Sequence, residues 1–416
     1  MRTKRLTRTP APPGQQPPGA RGPLPTAAPR RAVWLAAWPV TAVFILSNTA
    51  TPLYVLWQDE LGFSSGTLTV IFAFYIVGLL AALLVAGVTS DRIGRKPVLL
   101  PALALGVMAS VLFATAGSVT ALAIARLLSG IAVGSIVSAG MAAVTDVAGP
   151  ARKRLAALLA SAAMVLGAGF GPLLAGVLSQ TLPGPTVAVF FVEIVLLALA
   201  MLVVWRMPLT RPGAPSSGSW IRVPSVPGAQ RTQLMMGIAV FGPGITSTSF
   251  VLSLGPSLLA DVLDTSSRVV AGATAFVMFT AATAVQFAVQ RLRVRTILLI
   301  GAASIVAGMA FLVTAVSISS APLLAVSAVL AGAGQGLGQL GGLTLISSSV
   351  PAERLAEANA AMNVGGYVPA GLLPVVTGFL SDAVGLSAAT TAFTSTLAVA
   401  AALGALYVAT RLHSTI

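Results

Sequence analysis

Cysteine is absent from the 416 residues, histidine occurs once and acidic residues number ten. Without cysteine there is no disulfide framework, thiolate metal site or cysteine nucleophile, and the redox compartment stays open. The single histidine, His413, is fourth from the end, which removes most histidine-dependent catalysis and metal binding. Charged residues make up 8% against 56% hydrophobic, and the mean hydropathy is +0.94. A soluble core cannot absorb that much apolar surface, so the solvent is largely lipid. The sequence pI near 11.6 would point to nucleic acid in a soluble protein. Here the basic residues are spread over loops without interleaved stacking aromatics, so no nucleic acid is expected and lipid headgroups are the partner.

Apolar runs long enough to cross about 30 Å of hydrocarbon as helices occur near 33–57, 66–88, 98–117, 120–144, 155–178, 186–206, 233–257, 269–289, 296–316, 321–346, 353–380 and 387–410. The fold class expected is therefore all-α integral membrane, with twelve transmembrane helices. Residues 1–32 hold seven Arg or Lys and eight Pro, which reads as a disordered basic tail. The run that follows is too long for a cleaved signal peptide and reads as the first spanning helix. With both termini inside, 22 of the 24 basic residues fall on the cytoplasmic side, so the expected topology is N-in/C-in.

Residues 207–232, "MPLTRPGAPSSGSWIRVPSVPGAQRT", are rich in Pro, Ser and Gly and break the chain after the sixth run. They separate a six-helix bundle at 33–206 from a second at 233–410, followed by a short tail at 411–416. The halves echo one another about 200 residues apart: "SDRIGRKPVLL" with "VQRLRVRTILL", "SNTATP" with "GPGITSTS", and "GIAVGSIVSAG" with "AGAGQGLGQLGG". Two pseudo-symmetric halves rocking about a central site are the architecture of many transporters.

The densest charge lies in "GVTSDRIGRKPVLL", between the second and third runs. The positive-inside rule accounts for its basic residues but not for Asp91. That acid can pair with Arg95 at i+4, Gly87 lets another helix approach, and Asp146 offers the same arginine a second carboxylate. The N-terminus of the eleventh helix, starting around Pro351, would also favour Asp91.

The pattern Gly87-x-x-x-Asp91-Arg92-x-Gly94-Arg95-Lys96 resembles the cytoplasmic loop signature of the major facilitator superfamily, at the place in the chain that family requires. Arg126-x-x-x-Gly130 resembles its buried-arginine motif. "GAGFGPLLAG", with Gly167, Gly171, Pro172 and Gly176, resembles the signature of its antiporter-like exporter branches, with Ala175 where the pattern has glycine. The resemblance implies a latch of the outward-open state at Gly87, Asp91, Arg92, Gly94, Arg95, Lys96 and Asp146. It also implies proton coupling at Arg126. The loop at Arg291 to Arg295 lacks the acid and glycine, so no second latch is expected.

A charge inside a membrane helix is expensive, and one that persists has a partner or lines water. Arg126 and Glu193 lie at similar depths and are the candidates for proton coupling, with a structural role the alternative for each. The cavity is expected between helices one, four, seven and ten, lined by Asn48, Thr51, Tyr54, Thr246, Gln335 and Gln339, with Asn363 and Tyr367 added from helix eleven. Gly242-Pro243-Gly244 and Pro52 should interrupt helices seven and one. No carboxylate falls in helices one, seven or ten, so apolar or weakly polar substrates fit best.

The function expected is proton-coupled efflux of small hydrophobic compounds, drugs or endogenous metabolites. Uptake symport of a sugar or organic acid is the alternative; a membrane sensor or a membrane enzyme is the alternative from another class. The chain is expected to be a monomer in the bacterial inner membrane, acting on a small-molecule substrate and protons in contact with lipid. No cofactor, metal or enzymatic activity is expected.

Overall fold

Proline sets the shape of the first span. Pro29 precedes α1 (Arg30–Thr49), Pro39 is carried inside it, and Pro52 converts the chain to one 3₁₀ turn before α2 (Tyr54–Leu61) resumes the crossing. A proline removes an N–H and clashes with the preceding turn; at Pro52 the helix gives way to the 3₁₀ turn, whereas at Pro39 it continues.

The remaining helices of the first bundle are α3 (Ser65–Ile93), α4 (Lys96–Ala114), α5 (Val119–Ser135), α6 (Met141–Ala148), α7 (Lys153–Thr181) and α8 (Pro185–Arg206). A single π-helical turn, Ile136–Gly140, joins α5 to α6 and makes the two one crossing. The second bundle holds α9 (Arg231–Asp261), α10 (Arg268–Ala288), α11 (Val294–Ser317), α12 (Ala321–Ser349), α13 (Leu355–Val384) and α14 (Leu386–Arg411). This computed structural model describes residues 29–209, 219–262, 264–351 and 354–412. Most of the tail read at 1–32, positions 210–218 of the linker, His413 and the rest of the chain end lie outside the described residues.

Among the described residues, twelve spans are long and apolar enough to cross a membrane. Helix is the form that satisfies every backbone N–H and C=O internally where no water can. The spans coincide with the twelve apolar runs, most of them extended by a turn or less; the fourth ends at Ala148 and the fifth at Thr181. The first and seventh spans are the most buried of the twelve, which places them inside the bundles.

Helix seven differs from expectation. α9 runs unbroken through Gly242, Pro243 and Gly244, and through Pro256 as well. Breaking it in lipid would strand several backbone groups, whereas one missing donor is tolerated within a continuous helix.

Every second chain turn falls on the same face. One face, which carries both described chain ends, holds the Asp91–Lys96 loop and is predominantly basic. The opposite face carries Asp59, Glu60, Asp261, Asp264 and Asp382 together with Arg268. The bundles meet along two seams, α7 against α10 and α3 against α13.

Candidate functional site

A cavity of about 280 Å³ lies between the bundles. α1 supplies Phe44, Ser47 and Asn48, α3 supplies Phe72 and Tyr75, and α7 supplies Ser161 and Met164. From the second bundle come Thr248 and Ser249 of α9, Thr283 and Gln286 of α10, Gln335 and Gln339 of α12, and Tyr367 of α13. None of its lining side chains is charged; the polar groups are amides and hydroxyls among apolar carbon. Gln335 and Gln339 share a helix face, and Nε2 of the first donates to Oε1 of the second at 3.3 Å.

The lining on α7, α10 and α12 lies toward their basic-face ends, whereas the bundles touch directly toward the acidic face. There, Gly176 of α7 abuts the backbone of Arg268, and Gly272 of α10 abuts the Pro172 carbonyl. Arg268 Nη2 donates to the Ser179 carbonyl at 2.7 Å, and Ser257 donates to Gln58 Oε1 at 3.0 Å. At the other seam Asp382 accepts from the backbone of Ser65 and Gly66. The space is therefore sealed on the acidic side.

Asn48, Gln335, Gln339 and Tyr367 line this cavity. Thr51, Tyr54, Thr246 and Asn363 do not. Thr51 is buried in the turn at Pro52, and the Thr246 hydroxyl donates back to the Gly242 carbonyl at 2.7 Å. Tyr54 turns toward Arg126, and Asn363 sits one turn nearer the basic face than Tyr367. Helix four contributes no lining residue, in contrast to the expected quartet; helices two, five, eight and eleven do. Phe72, Tyr75 and Gln286 are among the lining residues that sequence reasoning missed. Gln286 stands alone in an apolar stretch of α10, a signal of the same kind as Gln335 and Gln339.

Arg126 is fully buried behind the cavity wall. Its Nε donates to the Tyr54 hydroxyl at 2.5 Å and its Nη1 to the Ser47 carbonyl at 2.8 Å. The rings of Tyr54, Phe72, Tyr75 and Phe113 surround the guanidinium, with centroids 5.1 to 5.9 Å away. Ring faces are negative, so this cage stabilises a cation without a carboxylate. Phe72 and Tyr75 belong to both the cage and the cavity wall, so the two share a side.

Glu193 is equally buried, and its Oε1 has no hydrogen-bond partner. Among the described residues no ion pair joins it to Arg126. Phe190, one turn before Glu193 on α8, stacks on Phe113 at 4.9 Å, so aromatic carbon is shared between the two sites. Similar depth along the chain did not translate into contact because Arg126 is taken up by Tyr54 and the α1 backbone.

At the basic face Arg95 pairs with Asp91 at 2.5 Å and with Asp146 at 3.0 Å, and also donates to Ser90. Burial alone would lower the arginine's pKa; the hydrogen bonds it donates to the two carboxylates outweigh it and hold it above the ordinary value. The cluster's stabilisation is then fully present below the ordinary arginine pKa, and Arg95 keeps its charge throughout the physiological range. Gly94 follows α3 at φ 99°, a conformation open to glycine, which explains its place in the motif. Lys96 donates to the Trp205 carbonyl at 2.8 Å.

Both the fourth span and the linker approach Gly87: a Cβ there would lie 3.5 Å from Ser138, and Arg222 lies over it and reaches Asp91 at 3.9 Å. Arg222 N–H also donates to the Leu84 carbonyl, and Arg92 stacks on Trp220 at 4.4 Å. A few residues on, the Ser225 hydroxyl donates to Glu357 and accepts from Arg354 at the start of α13. Residues 219–227 thus strap the first bundle to the second across the basic face.

Gly167 and Gly171 turn toward α1, where an added Cβ on Gly167 would lie 2.6 Å from the Thr41 carbonyl oxygen. Gly176 and Pro172 face α10. The Gly-Pro segment therefore packs one face of α7 inside its own bundle and the other across the seam.

Two six-helix bundles about an uncharged central cavity, closed on one face, define a membrane transporter rather than an enzyme. A family model described as Major Facilitator Superfamily matches residues 33–374, and the chain belongs to that family. Similar proteins include the multidrug resistance protein MdtL of Escherichia coli and of Shigella dysenteriae, each 32% identical over 162 residues. That match covers 38% of this chain, and the chain spans 40% of the length of these relatives. Among solved structures, a bacterial homologue of the human lysosomal transporter Spinster, inward-facing and occupied, superposes with a TM-score of 0.71 at 14% identity, over 92% of this chain and 97% of that one. The nucleoside transporter NupG superposes with a TM-score of 0.67 at 11% identity, over 91% and 99%. With twelve apolar spans and bacterial relatives, this is a multi-pass protein of the bacterial inner membrane.

Proposed function

We propose that the protein exports small, largely apolar, uncharged compounds, drugs or endogenous metabolites, in exchange for protons. It works as a monomer by alternating access, with both termini in the cytoplasm. The observation that carries this reading is the cavity: amides, hydroxyls and aromatic rings with no lining charge. Such a wall binds apolar bodies and offers a few hydrogen bonds for orientation. The partial likeness to multidrug resistance proteins and the Gly-Pro segment of α7 support the outward direction.

The basic face is then cytoplasmic by the positive-inside rule, and the structure is inward-facing. Arg126 and Glu193 are the coupling pair. Glu193 takes up a proton, and the Phe72–Tyr75 wall passes substrate occupancy to the arginine cage. Asp91, Arg95 and Asp146, with Gly87, Arg92, Gly94 and Lys96, form the latch at the cytoplasmic face.

Inside-out vesicles energised to a proton gradient and followed with a pH-sensitive dye test the reading. Compound-dependent dequenching confined to vesicles carrying the protein is expected, and Glu193→Gln should abolish it while the protein stays folded. Compound movement with the proton gradient rather than against it would replace export by uptake symport. Unchanged coupling in Glu193→Gln would remove that residue from the mechanism.

A further inference from the structure

A second cleft, remote from the central cavity, opens on the basic face between α1, α6 and α8. It measures about 330 Å³ and is walled by Leu35, Val147, Leu202 and Val203. Residues four apart share a helix face, so Arg31 stands one turn above Leu35 and Arg206 one turn above Leu202. Both arginines are exposed, and among the described residues neither side chain has a partner.

The depth of the cleft is marked by tryptophan. Trp34 and Trp205 adjoin its walls and are 62% and 74% exposed. Indole rings are stable where hydrocarbon meets headgroups, which puts the aliphatic walls in the acyl layer and the guanidinium groups among phosphates. Asp146, the acid beside Val147, is engaged by Arg95 and does not neutralise the arginines.

We propose that this cleft binds one anionic phospholipid of the leaflet at the basic face. An acyl chain lies along Leu35, Leu202 and Val203, and the headgroup phosphate bridges Arg31 and Arg206. The inference rests on the membrane fold and not on the direction or substrate of transport. Each arginine near an anionic headgroup strengthens binding about fivefold, so the pair should favour anionic over zwitterionic lipid about 25-fold.

The full-length protein is equilibrated in mild detergent with equal amounts of phosphatidylglycerol and phosphatidylcholine, and bound lipid is counted by native mass spectrometry. The expected result is about 25-fold preference for phosphatidylglycerol, falling toward parity in the double variant Arg31→Gln with Arg206→Gln. The variant Leu202→Trp, which fills the groove but keeps both charges, should also lose the lipid. Arg291→Gln, on the same face in the other bundle, should keep it. Equal retention of both lipids by the wild type, or an undiminished preference in the double variant, would overturn the proposal. The lipid count needs no transport, so its failure and a failure of the export reading are separate results.

Discussion

Asp382 of the second bundle caps Gly66 of the first: its carboxylate accepts the N–H of Gly66 at 3.0 Å and that of Ser65 at the same distance. Ser64 already accepts the Thr67 N–H, so between them the two side chains satisfy the exposed start of α3. A negative charge is also favoured there by the helix dipole. The cap forms only while the acidic face is closed.

Removing it should loosen that face. A helix cap is worth about 1 kcal/mol, or about a fivefold change in population. The chain has no cysteine, so Leu252→Cys, at the cavity wall, gives a single reporter thiol without background. Labelling by an impermeant maleimide from the acidic side should be about fivefold faster when Asp382→Ala is added; an unchanged rate would show that the cap does not hold the face shut.

The α7–α10 seam is built on backbone contact and should not tolerate side chains. A Cβ on Gly272 would lie 2.9 Å from the Pro172 carbonyl carbon. Gly272→Val should fold, hold the acidic face apart and reduce transport to below about a tenth, since overpacking costs about 1–3 kcal/mol. Gly255→Ala, whose new atom meets only Val251 at 3.6 Å, is the matched control and should transport almost normally.

Arg126 contacts Tyr54 and the Ser47 carbonyl with two different nitrogens, a fork that lysine cannot reproduce. Arg126→Lys should keep the fold and slow transport at least about tenfold. Arg126→Met should abolish transport and leave both oxygens without their donor, lowering the melting temperature further. Equal transport in Arg126→Lys and the wild type would reduce the residue to a buried cation.

Contacts at the linker are exposed and individually weak. The Arg92–Trp220 stack is worth about 0.5–1 kcal/mol, and the Arg222–Asp91 pair no more than about 1 kcal/mol, screened by salt. Trp220→Ala with Arg222→Gln should raise the rate of proteolytic cleavage in the linker several-fold. Added salt should accelerate cleavage of the wild type more than that of the variant.

The number of spans, the two bundles, and the pairing of Arg95 with Asp91 and Asp146 were all legible in the sequence. The spans and bundles follow from run length, the Arg95–Asp91 pair from its i,i+4 spacing, and Asp146 from its place at the same end of the fourth span. Which face of a helix meets the cavity was not legible, because a helix that meets lipid on one side and protein on the other is apolar all round. Thr246 and Thr248 illustrate this: two residues apart, they point to different sides, and only Thr248 reaches the cavity. Tyr54 looked like a lining group, but the demand of a buried guanidinium claims its hydroxyl. The Asp382 cap joins residues 316 positions apart, a relation that no local pattern carries.

The π turn at Ile136–Gly140 splits the fourth span into two rods with separate phase. A regular α-helix advances about 100° per residue, and a π turn holds one residue more than an α turn. Arg126 belongs to the rod that enters the aromatic cage, and Asp146 to the rod that meets Arg95. Rewinding that single turn into regular helix would swing Asp146 away from Arg95 while leaving Arg126 in place. The register of that single turn therefore sets how the buried cation and the charged loop are oriented relative to one another.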